Sequence, residues 1–263
     1  MLDKIDNLIK SYNKSKILVL SGGWFRWLYT VWVLKWLEEL WLDKNIPAVF
    51  GVSIWAIVWW LWCSWVKAEE IYKLFMNLTL DKFYWKEVFT KTGWVLSNKK
   101  IKAMIDEHIA DSFDKLNKKF YVWVVDTKKA NYLLMNEWDL HKIILWSMSI
   151  PGVFPPIKYK DLLMVDWGVL NNFPVDFAKA YYPHNKIIWV ALNKFEEDQK
   201  ISTFWENLAV AYEVIIKAQT LRNNDMVDYL FYKDIDVPTL TLNKSKLTKA
   251  YEMWYNDCIA MFK

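Results

Sequence analysis

Glycine is scarce in this chain, which has 6 glycines among 263 residues. Average usage of about 7% predicts roughly 18 glycines in a chain of this length. Tryptophan is abundant instead, with 19 residues. Glycine is the residue that adopts left-handed backbone conformations without strain. The scarcity therefore leaves few residues that are suited to tight turns.

Cysteine is also rare, and neither sign of charge is in large excess. Cys63 and Cys258 lack the spacing of a disulfide framework or a zinc site, and we expect no metal. A net charge of +4, from 34 basic and 30 acidic residues, is too balanced to indicate a nucleic-acid groove. The first 16 residues have no apolar signal-peptide core. We therefore expect a cytoplasmic protein with peripheral membrane contact and no nucleic-acid partner.

One long uncharged run, residues 46–66, has 21 residues and could cross a bilayer by length alone. The run contains Pro47, Gly51 and Ser53. Its tryptophans lie in the middle, whereas membrane tryptophans concentrate at the two interfaces. We therefore interpret the run as a strand, a turn and a helix rather than as a transmembrane span.

No linker, repeat or low-complexity segment divides the chain, so we expect one domain over residues 1–263 with its core at about residues 16–195. Short buried strands alternate with amphipathic helices. This alternation predicts an α/β fold, a three-layer helix-sheet-helix sandwich around a mostly parallel central sheet. The predicted strands are residues 17–20, 48–52, 120–126, 132–135, 162–165 and 187–192, and the predicted helices are residues 28–42, 54–65, 68–78, 98–110 and 140–149.

Four segments carry the chemical information in the sequence. They are SGGWFRW at 21–27, GVSIW at 51–55, SIPGVFPP at 149–156 and VDWGV at 165–169. Ser53 lies on the predicted sharp turn between a strand and a helix, where a nucleophile elbow holds its serine. Each segment alone is a weak signal, but their order and spacing together are specific. On these segments the chain resembles the bacterial patatin-like phospholipases over nearly its whole length.

The resemblance implies a serine lipid acyl hydrolase, a phospholipase A-like enzyme that cleaves carboxylic esters with a Ser-Asp dyad. Ser53 would attack the ester carbonyl, and Asp166 would accept its proton. The substrate would be a phospholipid or another acyl-ester lipid, with no metal or organic cofactor. The residues implied for the oxyanion hole and its surroundings are Gly22, Gly23, Trp24 and Arg26. The positions that flank the motifs are Gly51, Trp55, Trp167 and Gly168.

Two alternatives remain at this point. The first is a histidine-dependent triad, because His184 follows Asp166 in the chain order of the α/β-hydrolases. The second is a catalytically inactive lipid-surface or scaffold protein, which the tryptophans at motif positions favour if they are authentic.

Many of the tryptophans stand at positions where the family has a small residue, in most cases glycine. Glycines or other small residues of the family correspond to Trp24, Trp27, Trp32, Trp41, Trp55, Trp59, Trp65, Trp167 and Trp254. A residue other than glycine at positive φ costs roughly 1–2 kcal/mol, and an overpacked core site costs about 1–3 kcal/mol. The sum would approach the whole stability of a domain. Some bacterial lineages read the UGA codon as glycine. Our hypothesis is that such UGA codons were translated as tryptophan in this sequence.

Overall fold

The strands form one eight-stranded sheet. The computed structural model describes residues 11, 13–21, 27–51, 53, 56–81, 106–108, 110–135, 139–147, 149, 151, 156–166, 168 and 170–191, with shorter stretches between 207 and 232 and residue 248. The strands are β1 (Lys16–Leu20), β2 (Ala48–Gly51), β3 (Lys119–Asp126), β4 (Asn131–Met135), β5 (Ile157–Tyr159), β6 (Leu162–Asp166), β7 (Lys186–Ala191) and β8 (Tyr229–Tyr232). Their order is β5-β6-β3-β2-β1-β7-β8, and β4 also pairs with β3.

The sheet has a parallel part and an antiparallel part that share β3. Strands β1, β2, β3, β7 and β8 pair in parallel, whereas β4 and β6 run antiparallel to β3 and β5 runs antiparallel to β6. The parallel strands are short and almost fully apolar, as expected of strands that are buried on both faces. The change of direction at β3 brings the end of β6 beside the parallel strands.

Helices cover both faces of the sheet. The helices are α1 (Trp27–Glu39), α2 (Ala56–Cys63), α3 (Ala68–Asp81), α4 (Leu140–Ser147) and α5 (Val175–Tyr181). Side chains alternate along β1, so Leu18 and Leu20 pack with α1 to α4, whereas Ile17 and Val19 pack with α5 on the other face. The described chain therefore has two apolar cores separated by the sheet, and the predicted three-layer α/β architecture is confirmed.

The predicted elements agree with the structure except at their ends and at short strands. Helix α4 ends at Ser147 rather than at residue 149, and α1 ends at Glu39 rather than at residue 42. Strands β5 and β8 and helix α5 were not among the predicted elements. Only residues 106–108 of the predicted helix 98–110 are described as helical. Within the described part of the chain, no helix is both long and apolar enough to cross a membrane, and α2 is 8 residues long.

Candidate functional site

The site lies where the ends of β2 and β6 meet beside β3. Asp166, the last residue of β6, pairs with Val124 of β3. Strand β2 pairs with β3 up to Phe50 and Tyr121. Ser53 follows the end of β2 by two residues. The two pairings therefore bring Ser53 and Asp166 to neighbouring positions beside β3, although they are far apart in the sequence.

Ser53 occupies a strained turn between β2 and α2. Its φ is 68°, in the left-handed region that residues other than glycine rarely adopt. Its residue surface is only 5% exposed. Such strain persists only where the surroundings fix it, and it concentrates at functional sites. The conformation is the one that a nucleophile elbow requires between its strand and its helix.

Gly51 makes the close approach of this turn to the sheet possible. A Cβ atom built on Gly51 would lie 3.0 Å from Cδ1 of Trp59 and 3.3 Å from Cζ of Phe120. Both contacts are tighter than ordinary van der Waals distances, so the side chains of Trp59 and Phe120 would have to shift to admit a larger residue. The motif glycine at this position therefore has a packing role directly below Ser53.

Asp166 is a fully buried carboxyl group beside Ser53. Its Oδ1 accepts a hydrogen bond of 2.6 Å from the N–H of Gly168. Burial raises the pKa of Asp166 to about 7, because desolvation disfavours the charged form. The Ser53 hydroxyl and the Gly168 N–H lower this pKa in part, since both stabilise the carboxylate. The two predicted dyad residues are thus neighbours in the structure.

The second carboxylate oxygen, Oδ2 of Asp166, is open. Among the described residues it has no hydrogen bond of ordinary geometry. The contact with the Ser53 hydroxyl is therefore looser than a well-formed hydrogen bond, although it still affects the pKa of Asp166. Catalytic hydrogen bonds are often long without substrate and shorten when the complex forms. The carboxyl group of Asp166 is thus close enough to the Ser53 hydroxyl to accept its proton.

Ser21 anchors the start of the glycine-rich segment to the sheet. Its hydroxyl donates to the carbonyl oxygen of Val190 at 3.3 Å, and its side chain is fully buried. Leu20, the residue before it, pairs with Gly51 of β2. Strand β1 thus ends beside the end of β2, directly before the glycine-rich segment. The sequence analysis placed Ser21 in the motif at 21–27 but gave it no role, since its partner Val190 is 169 positions away in the sequence.

The other predicted site residues divide into two groups. Gly51 and Gly168 are described, and both are buried. The remaining positions lie outside the described residues; they are Gly22, Gly23, Trp24, Arg26, Trp55 and Trp167.

His184 lies at the opposite end of the sheet from Ser53. It is exposed in the turn between α5 and β7. Strand β7 begins at Lys186, which pairs with Lys16 at the start of β1, whereas Ser53 follows the end of β2. Because β1, β2 and β7 are parallel, the full length of a strand separates the two residues. This geometry argues against a triad that includes His184.

Comparison with known proteins gives a consistent family. A family model described as patatin-like phospholipase matches residues 18–179. The probable lipid hydrolase 463L of Invertebrate iridescent virus 6 is 29% identical over 192 residues, which are 65% of this chain and 65% of that protein. The neuropathy target esterase sws of Drosophila melanogaster is 27% identical over 175 residues, which are 60% of this chain and 12% of that protein. The chain thus spans less than two thirds of both relatives.

A solved structure has the same fold. The crystal structure of VipD from Legionella pneumophila superposes with a TM-score of 0.53 at 15% sequence identity, and the match covers 94% of this chain and 66% of that one. At this identity the likeness concerns the fold alone.

Proposed function

Since this chain belongs to the patatin-like phospholipase family, we propose that it is a serine lipid acyl hydrolase that cleaves carboxylic esters with Ser53 and Asp166. The family model spans both residues. The names of two relatives, a probable lipid hydrolase and an esterase, support the same reaction class. The observation that carries the proposal is the strained, buried Ser53 beside a carboxyl group whose pKa is about 7.

In the proposed reaction, Oδ2 of Asp166 takes the proton of the Ser53 hydroxyl as Oγ attacks the ester carbonyl. The tetrahedral intermediate collapses to an acyl-serine, and the alcohol leaves with that proton. Water then attacks the acyl-serine, again with Asp166 as the base, and releases the fatty acid. A carboxyl with a pKa near neutrality suits both directions of this proton transfer.

Negative charge on the carbonyl oxygen needs donors in the transition state. We assign them to backbone N–H groups around Gly22, Gly23 and Trp24, with Arg26 nearby. Support comes from the sequence of this segment and from its first residue, Ser21, which a hydrogen bond to Val190 holds at the end of β1. Loss of one such donor typically costs about 2.7–4 kcal/mol of transition-state stabilisation.

The substrate class we propose is a phospholipid or another acyl-ester lipid, reached by peripheral contact with a membrane. A cytoplasmic location is supported by cysteine chemistry, because Cys63 is a buried free thiol whose pKa burial raises to about 12. Such a thiol is inert rather than part of a disulfide. Cell fractionation and flotation with phospholipid vesicles test both statements: recovery only in an integral-membrane fraction would contradict them.

The decisive experiment uses a fluorophosphonate probe, which reacts with activated serines. We expect labelling of the wild-type protein and none of Ser53→Ala. Ser147→Ala is the matched control, since Ser147 is a fully buried serine outside the proposed site. A folded wild-type protein that is neither labelled nor active on acyl esters would refute the hydrolase, and would favour the inactive lipid-surface protein.

We also propose that several tryptophans are glycines in the protein as its source organism makes it. Trp41 and Trp65 have φ of 59° and 71°. Trp65 follows the end of α2: its N–H donates to the carbonyl of Trp62 at 3.2 Å, and the N–H of Val66 donates to that of Leu61 at 3.0 Å. This pair of bonds is a Schellman motif, in which the residue at the position of Trp65 is usually glycine.

Exposure and unmet polar groups support the same proposal. The side chains of Trp41 and Trp65 are 58% and 74% exposed, so neither contributes much to a core. In the described cores, the buried indole N–H groups that have no partner belong to Trp32, Trp59, Trp60 and Trp189. Buried tryptophans normally find a partner for this group, and a lost hydrogen bond costs about 1–3 kcal/mol.

The codons in the source DNA test the glycine proposal directly. UGA at positions 24, 27, 55 and 167 would support decoding as glycine and restore the motifs of the family. UGG at these four positions would mean authentic tryptophans and would refute the proposal.

A further inference from the structure

The motif SIPGVFPP begins at Ser149, and the proposed chemistry gives that residue no role. Ser149 lies two residues after the end of α4 and is fully buried. Its backbone carbonyl accepts the N–H of Asp166 at 3.0 Å. The segment therefore contacts the proposed base directly through the main chain.

This contact replaces strand pairing where strand pairing ends. Strand β5 pairs with β6 only from Leu162 to Met164. The N–H of Asp166, two residues further on, is buried and would need another acceptor. The carbonyl of Ser149 supplies it. The backbone position of Asp166 thus depends on where Ser149 is held.

Two bonds hold Ser149 on the last turn of α4. Its N–H donates to the carbonyl of Trp146 at 3.1 Å, and its hydroxyl donates to the carbonyl of Leu145 at 2.9 Å. The hydroxyl bond is the one that depends on the side chain. Without it a single backbone bond would anchor the residue to the helix.

We propose that Ser149 is a positioning residue for Asp166. The Ser149 hydroxyl holds the Ser149 carbonyl in place, and this carbonyl fixes Asp166 beside Ser53. The Gly168 N–H fixes Oδ1 and Ser149 fixes the main chain, while Oδ2 has no partner among the described residues. The inference rests on the proposed function, because positioning matters only if Asp166 is the base. A displacement of the order of 1 Å in such a group can cost about a hundredfold in rate.

The test compares Ser149→Ala with Ser147→Ala. Both serines are fully buried near the end of α4, but the hydroxyl of Ser147 has no hydrogen-bond partner among the described residues. The two variants therefore lose the same atom, and only one loses the bond. For Ser149→Ala on a phospholipid ester we expect kcat to fall about tenfold with KM within about twofold, whereas Ser147→Ala keeps both values.

The pH profile and a rescue separate positioning from stability. We expect the midpoint of the kcat/KM profile of Ser149→Ala to move to lower pH, since a displaced Asp166 admits water and is less desolvated. Ser149→Thr, which keeps the hydroxyl, should recover kcat. Equal kcat in the two alanine variants, or a loss in Ser149→Ala that matches its unfolded fraction, would overturn the inference. Activity that survives in Ser53→Ala would instead refute the proposed function.

Discussion

Replacement of Trp65 by glycine should stabilise the protein. A residue other than glycine in the left-handed region costs roughly 1–2 kcal/mol. Glycine offsets part of this stabilisation, by about 0.4–1 kcal/mol, because it raises the conformational entropy of the unfolded chain. The indole is 74% exposed, so little packing is lost. The net expectation is a free energy of unfolding higher by about 1 kcal/mol, or a Tm higher by about 2–4 °C.

The same change at Trp41 should have a smaller effect. The Nζ of Lys44 lies 4.0 Å from the centroid of the Trp41 ring. A cation-π contact of this kind is worth about 0.5–1 kcal/mol at an exposed site, and Trp41→Gly removes it. We therefore expect a gain of about 0.5 kcal/mol or less. The ranking of the two sites follows from this one contact.

Urea denaturation followed by far-UV circular dichroism measures both variants, because this signal arises mainly from the backbone rather than from tryptophan fluorescence. Trp65→Ala is the matched control: it removes the same indole but keeps a Cβ atom at positive φ. We expect it to be less stable than Trp65→Gly by about 1 kcal/mol. Equal stability of the two would refute the strain argument. A glycine variant less stable than the parent would show that the exposed indole contributes more than the backbone strain costs.

Three further predictions concern the proposed site. Because the base must be ionised and burial raises the pKa of Asp166 to about 7, kcat/KM on an acyl ester should rise about tenfold per pH unit below neutrality and level off above it; a flat profile from acid to neutral pH would contradict this. The same raised pKa means that the folded protein holds this proton more tightly than the unfolded chain, so stability is lost as pH rises from about 4 to 7. Asp166→Asn should therefore be more stable than the wild type above neutral pH, but not at pH 4, in denaturant titrations. His184→Ala should keep near-normal kcat, since His184 lies at the far end of the parallel strands, and a large loss would restore the triad.

Local patterns in the sequence were sufficient to predict the fold class and the neighbourhood of Ser53. The apolar runs of β1, β2 and β7 are signatures of buried parallel strands, and the turn after β2 follows from Ser53 standing between a strand and a helix. Strand β5 has only three residues, too few to show a period, and it exists through a short hairpin with β6. Strand β8 has four residues and depends on pairing with β7, which lies about 40 positions earlier in the chain and is therefore non-local.

The role of Ser149 could not be predicted for a similar reason. The motif that contains Ser149 is visible in the sequence, but the need for its carbonyl as an acceptor for the Asp166 N–H depends on where β5 stops pairing with β6. That endpoint is a matter of register between strands, which the sequence of either strand does not contain. The anchoring of Ser21 to Val190 likewise joins residues that are 169 positions apart.

Burial of Asp166 explains how the proposed reaction proceeds without histidine. A general base works best when its pKa is close to the working pH, which is the usual reason for a histidine between a serine and a carboxylate. Here desolvation, partly offset by the hydrogen bonds from Ser53 and Gly168, raises the pKa of a carboxyl to about 7. The Gly168 N–H keeps that carboxyl oriented, and the carbonyl of Ser149 keeps its main chain in place. A buried aspartate held in this way thus has a pKa close to that of an imidazole. A substitution that admitted water beside Asp166 would lower this pKa without first changing the fold.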